Sequence, residues 1–149
     1  MYSGARSFAA LFLSLRRNPN LAKAPVICIV DDDDSVREAT KLLVRSLGYT
    51  AATFASAEEY LRSDRVQDTA CLITDVKMPG ISGVELQERL IADDRRTPVI
   101  VVTGFPDEGI RARVLAAGAV GFLGKPFKDE CLIECLDRAL KRDGSVPTE

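Results

Sequence analysis

The feature that most constrains the fold is a strict alternation of short apolar runs with stretches of helical periodicity. Residues 26–30, VICIV, form a continuous β-branched run of the kind that becomes a strand buried on both faces. Four more apolar runs follow, each ahead of a helical pattern, at 49–54, 70–74, 98–102 and 119–123. Five strand–helix units in this order predict an α/β fold, a doubly wound parallel sheet with helices on both faces.

Capping signals indicate where the predicted helices begin. Three S-x-x-E capping boxes precede helical patterns: Ser35 with Glu38, Ser56 with Glu59, and Ser82 with Glu85. The fourth helix is predicted at about 107–117 and the fifth over 132–140.

The length and the charge distribution divide the chain into three parts. Residues 25–143 are predicted to form one domain, with an N-terminal extension at 1–24 and a tail at 144–149. We expect the extension, which carries the apolar stretch FAALFLSL between arginines, to be poorly ordered, with a short surface-binding helix as the alternative. No apolar stretch reaches the roughly 18 residues of a membrane span.

Composition excludes several classes of function. The chain contains no histidine, which rules out Ser-His and Cys-His nucleophile pairs, an imidazole base and histidine-bound zinc. Residues 1–25 carry four basic and no acidic side chains, so the rest of the chain has a net charge of −6, which argues against direct binding of nucleic acid. We interpret the four cysteines as reduced thiols, as expected in the cytoplasm.

Polar side chains gather where the predicted strands end. Asp31 and Asp32 follow the first strand, Asp75 ends the third, Thr103 follows the fourth, and Lys125 lies two residues beyond the fifth. The carboxyl ends of parallel strands share one edge of the sheet, where open α/β folds bind ligands. We therefore expect three carboxylates, a hydroxyl and an ammonium to converge there.

This set of groups suits phosphoryl transfer to a carboxylate. Three carboxylates in one pocket repel one another unless a cation lies between them, and oxygen ligands favour Mg²⁺. Two acids can hold the metal while the third attacks phosphorus and forms an aspartyl phosphate. The metal, Lys125 and Thr103 would offset the added negative charge.

Four stretches carry a resemblance to a known family: VDDD at 30–33, TDVKMPGISG at 74–83, VTG at 102–104 and FLGKPF at 122–127. In this order, at the ends of successive strands, they resemble the receiver domain of two-component response regulators over residues 26–143. The residues in these stretches are most similar to those of the FixJ-like subfamily. The resemblance implies a flavodoxin-like (βα)5 fold with strand order 2-1-3-4-5.

The resemblance also implies residue roles. Asp75 would be the phosphoacceptor, and Asp31 and Asp32 would hold Mg²⁺ together with Asp75 and the backbone carbonyl of Lys77. Lys125 would contact the phosphoryl group.

Further implications concern switching. Thr103 and Phe122 would be the switch pair, and the peptide bond between Lys125 and Pro126 would be cis. Phe105 stands where relatives with fast self-hydrolysis often carry a polar side chain, so we expect a long-lived phosphoryl state.

The resemblance further implies partners. A histidine kinase or histidine phosphotransferase would donate the phosphoryl group, and a downstream protein target or a phosphorylation-linked homodimer would read it. Apart from self-phosphorylation and slow self-dephosphorylation, no enzyme activity is expected. The five residues after Gly144 are too few for a helix-turn-helix output domain, so we expect a stand-alone receiver.

Two alternatives remain open. The chain could be a receiver-like adaptor that signals without phosphorylation. It could also be a phosphatase of the haloacid-dehalogenase type, because DDDDS at 31–35 fits D-x-D-x-[ST] with Asp31 as nucleophile. Such a phosphatase needs a second acid pair at the end of a later strand, whereas the pair Asp93-Asp94 follows a predicted helix.

Overall fold

The structure, a computed structural model, describes residues 24–142. In this part of the chain, strands and helices alternate as predicted. The strands are β1 (Val26–Val30), β2 (Thr50–Phe54), β3 (Thr69–Asp75), β4 (Val99–Thr103) and β5 (Gly121–Gly124). The helices are α1 (Asp34–Ser46), α2 (Ala57–Leu61), α3 (Gly83–Ala92), α4 (Glu108–Ala116) and α5 (Asp129–Arg142). A 3-10 turn, Asp64–Asp68, lies between α2 and β3 and was not predicted.

The predicted extension at 1–24 and the predicted tail at 144–149 lie outside the described residues, except for Ala24. Both therefore stay predictions. Within residues 24–142, none of the helices combines the length and the apolar character that crossing a membrane requires.

The five strands are parallel and lie in the order β2-β1-β3-β4-β5, which confirms the predicted doubly wound sheet. Alternate strand residues face opposite sides: Ile27 and Ile29 pack with α1 and α5, whereas Cys28 and Val30 pack with α2, α3 and α4. Both faces are covered, which explains why the strands consist of continuous apolar runs.

The register brings the functional strand ends together. Val30 pairs with Thr74 and Asp75 pairs with Val102, so β1, β3 and β4 end at nearly the same level. Strand order reverses between β1 and β3, since the chain leaves β1 for β2 on one side and β3 for β4 on the other. This is the position where an open α/β sheet binds its ligands.

The predicted capping box of Ser35 and Glu38 is wrong. Helix α1 begins two residues earlier than that box requires, and Asp33 is its N-cap, accepting a hydrogen bond from the Val36 N–H at 3.0 Å. A run of aspartates offers several candidate N-caps. The helix begins after Asp33, whose extended backbone lets its carboxylate accept from an N–H of the first helical turn.

The other two helix starts agree with the sequence. Ser82 and Glu85 form a reciprocal capping box at α3. Ser56 caps α2 by accepting from the Glu59 N–H, but the Glu59 carboxylate reaches one residue further back, to the Ala55 N–H at 2.7 Å.

The four cysteines form no disulfide within residues 24–142, as predicted, and Cys131 is the exposed one of the four. Cys28 takes part in a buried hydrogen-bonded group at the base of the sheet, where Tyr60 is completely buried. The Tyr60 hydroxyl lies 2.8 Å from Thr69 Oγ1, which in turn donates to the Arg65 carbonyl at 2.6 Å. Burial disfavours the phenolate and raises the pKa of Tyr60 to about 12.

Tyr60→Phe should therefore change how stability depends on pH. In the wild type, unfolding releases the Tyr60 proton at any pH between its ordinary pKa of 10.0 and about 12, so the free energy of unfolding should fall as pH rises through that interval. The variant lacks this component, and below pH 10 it should be less stable by about 1 kcal/mol through the lost hydrogen bond. Urea denaturation over a pH series measures the pH slope and the difference in the free energy of unfolding, and tyrosinate absorbance follows the ionisation of Tyr60. Identical pH slopes in the two proteins would contradict the assignment.

Candidate functional site

An acidic cluster lies where the first and third strands end. Asp31, Asp32 and Asp75 each place a carboxylate oxygen within 4.8 Å of the other two. Asp31 and Asp75 are buried, with 2% and 7% of their surface exposed, while Asp32 is exposed to solvent. The structure thus brings together the three acids that the sequence places at strand ends.

Lys125 lies between the two buried acids. Its Nζ donates to Asp31 Oδ2 at 2.8 Å and to Asp75 Oδ2 at 2.9 Å. The Lys125 N–H also donates to the Thr103 carbonyl at 2.7 Å, which fixes the backbone beyond β5. The peptide bond between Lys125 and Pro126 is cis, as the resemblance implies.

The charge of Lys125 is maintained by its partners. Burial on its own lowers the pKa of an ammonium, but the hydrogen bonds and charges of Asp31 and Asp75 together raise the pKa of Lys125 above its ordinary value. The lysine is therefore protonated at neutral pH. Three carboxylates and one ammonium leave the cluster with a formal charge of −2.

Both buried carboxylates are held in the same way. Asp31 Oδ1 accepts from the Asp33 N–H at 2.9 Å, and Asp75 Oδ1 accepts from the Val76 N–H at 2.7 Å. In each case the second oxygen, Oδ2, binds Lys125. Two hydrogen bonds per carboxylate fix the orientation of both groups, so the cluster is preorganised before any ligand arrives.

Arg37 supplies a second positive charge that the sequence analysis missed. Its Nη1 donates to the Asp31 carbonyl at 2.6 Å, and its Nη2 donates to Asp34 Oδ1 at 2.5 Å. The guanidinium therefore ties the first turn of α1 to the backbone of the acidic loop. The predicted helix begins after Ser35, so Asp34 lay outside it and its spacing from Arg37 gave no signal for these contacts.

Gly83 allows α3 to begin directly against Asp75. The Gly83 N–H donates to the Val76 carbonyl at 2.9 Å, and a Cβ on Gly83 would overlap the Asp75 carbonyl oxygen. Only glycine fits this approach, a requirement that no periodicity in the sequence indicates.

The proposed switch residues lie on the neighbouring strands. Thr103 ends β4, is buried, and accepts a hydrogen bond at Oγ1 from the Phe105 N–H at 3.1 Å. Phe122 lies in β5, half-buried, and packs on the face covered by α2, α3 and α4.

An exposed cation–aromatic pair stands beside these residues. Lys77 Nζ lies 5.1 Å from the centre of the Phe105 ring, and Phe105 is 71% exposed. The ligand role of the Lys77 carbonyl stays a prediction.

The fold and the acidic cluster with its lysine define a known class of signalling domain. The family model described as "Response regulator receiver domain" matches residues 27–137, and the chain belongs to this family.

Within the family, the chain is 38% identical to nodulation protein W of Bradyrhizobium diazoefficiens, with 79% of this chain and 52% of that protein covered. It is 40% identical to the response regulator protein TodT of Pseudomonas putida, with 80% and 52% covered. The chain thus spans about half the length of these relatives. The crystal structure of FixJ-N superposes with a TM-score of 0.72 at 34% identity, covering 85% of this chain and 99% of that one.

Gly83→Ala should destabilise the fold. The added Cβ meets backbone, which cannot move aside cheaply, so we expect a loss of about 1–3 kcal/mol in the free energy of unfolding. Gly104→Ala is the matched control, because a Cβ there meets open space, and it should stay within about 0.5 kcal/mol of the wild type. Urea denaturation measures both variants. Equal effects of the two substitutions would show that the approach of α3 to Asp75 is not tight.

Proposed function

We propose that this chain is a phosphoacceptor of a two-component phosphorelay, in which Asp75 receives a phosphoryl group in a Mg²⁺-dependent reaction. The donor would be the phosphohistidine of a histidine kinase or a histidine phosphotransferase. The observation that carries the proposal is the ammonium of Lys125 bound to both Asp31 and Asp75. Four cysteines without a disulfide fit the reducing cytoplasm as the compartment.

The donor set fits Mg²⁺. Its atoms are carboxylate oxygens, the ligands this hard cation prefers, and the formal charge of −2 in the cluster matches a divalent ion. The proposed ligands are Asp31, Asp32, Asp75 and the backbone carbonyl of Lys77. Asp32 is exposed, which gives the ion a path from solvent. When bound, the ion supplies positive charge to the phosphoryl oxygens.

The residues of the chain account for the rest of the chemistry. The Asp75 carboxylate attacks phosphorus, an O–P bond forms, the P–N bond of the donor breaks, and its electron pair returns to the imidazole nitrogen. Lys125, already bound to Asp75 Oδ2, offsets negative charge on the transferred group.

The same event supports a switch. Thr103 Oγ1 serves as an acceptor for the Phe105 N–H, which leaves its hydroxyl hydrogen to donate to a phosphoryl oxygen. Phe122, half-buried beforehand, would follow inward and alter the surface of α4 and β5 that a downstream target or a second copy reads. If the active conformation is a few per cent populated, about 3–5 kcal/mol of differential stabilisation makes it dominant, which a few charge-assisted hydrogen bonds supply.

Asp75→Asn tests the phosphoacceptor directly. With acetyl phosphate and Mg²⁺, the wild type should form an acid-labile acyl phosphate, and Asp75→Asn should incorporate none, because an amide is no nucleophile for this reaction. Asp93→Asn, at the exposed C-terminal end of α3, is the control and should label as the wild type does. Mass spectrometry of the intact protein and of its peptides gives stoichiometry and position.

The same experiment separates the two alternatives. Absence of label in the wild type would favour an adaptor that acts without phosphorylation. Label on Asp31 in place of Asp75 would favour a phosphatase of the haloacid-dehalogenase type. Against the latter, Asp93 caps the C-terminal end of a helix in the structure and ends no strand.

Phe105→Asn should shorten the lifetime of the phosphoryl group. The exposed Phe105 ring offers no hydrogen bond to an attacking water, whereas an amide in its place can orient one. A hydrogen bond of about 1 kcal/mol corresponds to about fivefold faster dephosphorylation. Phe105→Leu, which stays apolar, is the control and should keep the wild-type rate. Loss of label over time after removal of the phosphodonor measures the rates, and equal rates in all three proteins would contradict the role of this position.

A further inference from the structure

The loop between β3 and α3, residues 76–82, is held by a side chain from another element. Glu58, in α2, places its Oε2 3.0 Å from the Ile81 N–H, which donates to it. The two residues are 23 positions apart in the chain, so this bond joins separate parts of the fold. Of the residues in this loop, Lys77 is the one whose carbonyl is a proposed Mg²⁺ ligand.

The backbone of the loop is shaped around this carboxylate. Gly80 has a φ of +81°, a backbone conformation that residues other than glycine rarely adopt. A Cβ on Gly80 would also overlap Glu58 Oε2. The absence of a side chain at Gly80 therefore leaves the space that the Glu58 carboxylate occupies beside the loop.

The contact has the character of a charge-assisted hydrogen bond. The bond from the Ile81 N–H is the largest cause that lowers the pKa of Glu58 below its ordinary value, and Arg62 and Arg89 act in the same direction. Glu58 is therefore a carboxylate at neutral pH. Charged acceptors bind backbone N–H groups about twice as strongly as neutral ones.

Two further contacts leave the loop little freedom. At its end, the Gly83 N–H binds the Val76 carbonyl, which closes residues 76–83 into a ring. In its middle, the side chains of Met78 and Ile81 pack against the core on the α2, α3 and α4 face. Glu58 adds a third tie, at the Ile81 amide four residues after Lys77, so its removal leaves the ring of residues 76–83 with one backbone anchor fewer.

We propose that Glu58 is a positioning residue for the Mg²⁺ site, acting through the backbone of the β3–α3 loop. The inference rests on the proposed function, because it takes the Lys77 carbonyl as a ligand. Partners that orient the ligands of a metal typically change its affinity by about 10–100-fold when they are removed. A purely structural role for Glu58 would lower stability and leave the affinity for Mg²⁺ unchanged.

The test uses three substitutions at Glu58 and one beside it. Glu58→Ala removes the acceptor, and Glu58→Asp retracts it by one methylene while keeping a negative charge in the first turn of α2. Glu58→Gln keeps an acceptor oxygen at the same reach. Glu59→Ala is the matched control, because the Glu59 carboxylate accepts from the nearby Ala55 N–H and takes no part in the contact with Ile81.

Three quantities are measured in the full chain without any phosphodonor: the dissociation constant of Mg²⁺ by calorimetry, the free energy of unfolding, and hydrogen exchange at the Ile81 amide. Glu58→Ala and Glu58→Asp should weaken Mg²⁺ binding about tenfold and speed exchange at Ile81. Glu58→Gln should lie closer to the wild type than to Glu58→Ala. Glu59→Ala should lose stability and keep the wild-type affinity.

The outcomes separate this inference from the function on which it rests. Wild-type Mg²⁺ affinity in Glu58→Asp, alongside faster exchange at Ile81, would overturn the positioning role and leave the proposed function intact. A wild-type protein that binds no Mg²⁺ would overturn the proposed function, and the positioning role with it. An equal loss of affinity in Glu59→Ala would assign the effect to α2 as a whole and would also overturn the inference.

Discussion

The shared ammonium of Lys125 is the interaction on which the rest of the site depends. Asp31 and Asp75 are buried side by side, and burying two carboxylates without a cation would be strongly unfavourable. Removing one partner from such a buried group typically costs about 3–5 kcal/mol. Lys125 reaches them from beyond β5, two strands away from β3, so the strand order, the register and the backbone bond from Lys125 to Thr103 must all be in place first.

The loops around the cluster are tied down by charged side chains from neighbouring helices. Arg37 of α1 binds the backbone carbonyl of Asp31, and Glu58 of α2 binds the backbone N–H of Ile81. A cation thus holds the loop after β1 and an anion holds the loop after β3, each through the main chain. Both ties fix main chain beside the acidic cluster before any ligand binds, so a charged ligand would meet a backbone that needs little reorganisation.

Sequence patterns predicted the parts of this structure that follow from periodicity and strand register. Because parallel strands end at one edge, the positions of Asp31, Asp75 and Lys125 along the chain were enough to predict their convergence. The contacts of Arg37 and Glu58 could not be predicted, since each is one of many charged residues on a helix and its partner is a backbone group. The prediction of Ser35 as N-cap, where the structure has Asp33, failed for a related reason: neighbouring caps differ in free energy by less than the tertiary contacts that decide between them.

The shallow packing of α4 is consistent with the proposed switch, in which a small free energy at Asp75 alters a surface at a distance. Val114 is the one buried residue of this helix. Ile110 and Leu115 pack against the core while half-buried, and the Gln87 side chain donates a hydrogen bond to the Val114 carbonyl. An ion pair joins Arg113 to Glu88, whose side chains are 62% and 48% exposed. Such an exposed pair contributes about 0–1 kcal/mol. Under the proposed function, the about 3–5 kcal/mol from a phosphoryl group on Asp75 would repack this helix more readily than α5, which buries an apolar face against the sheet.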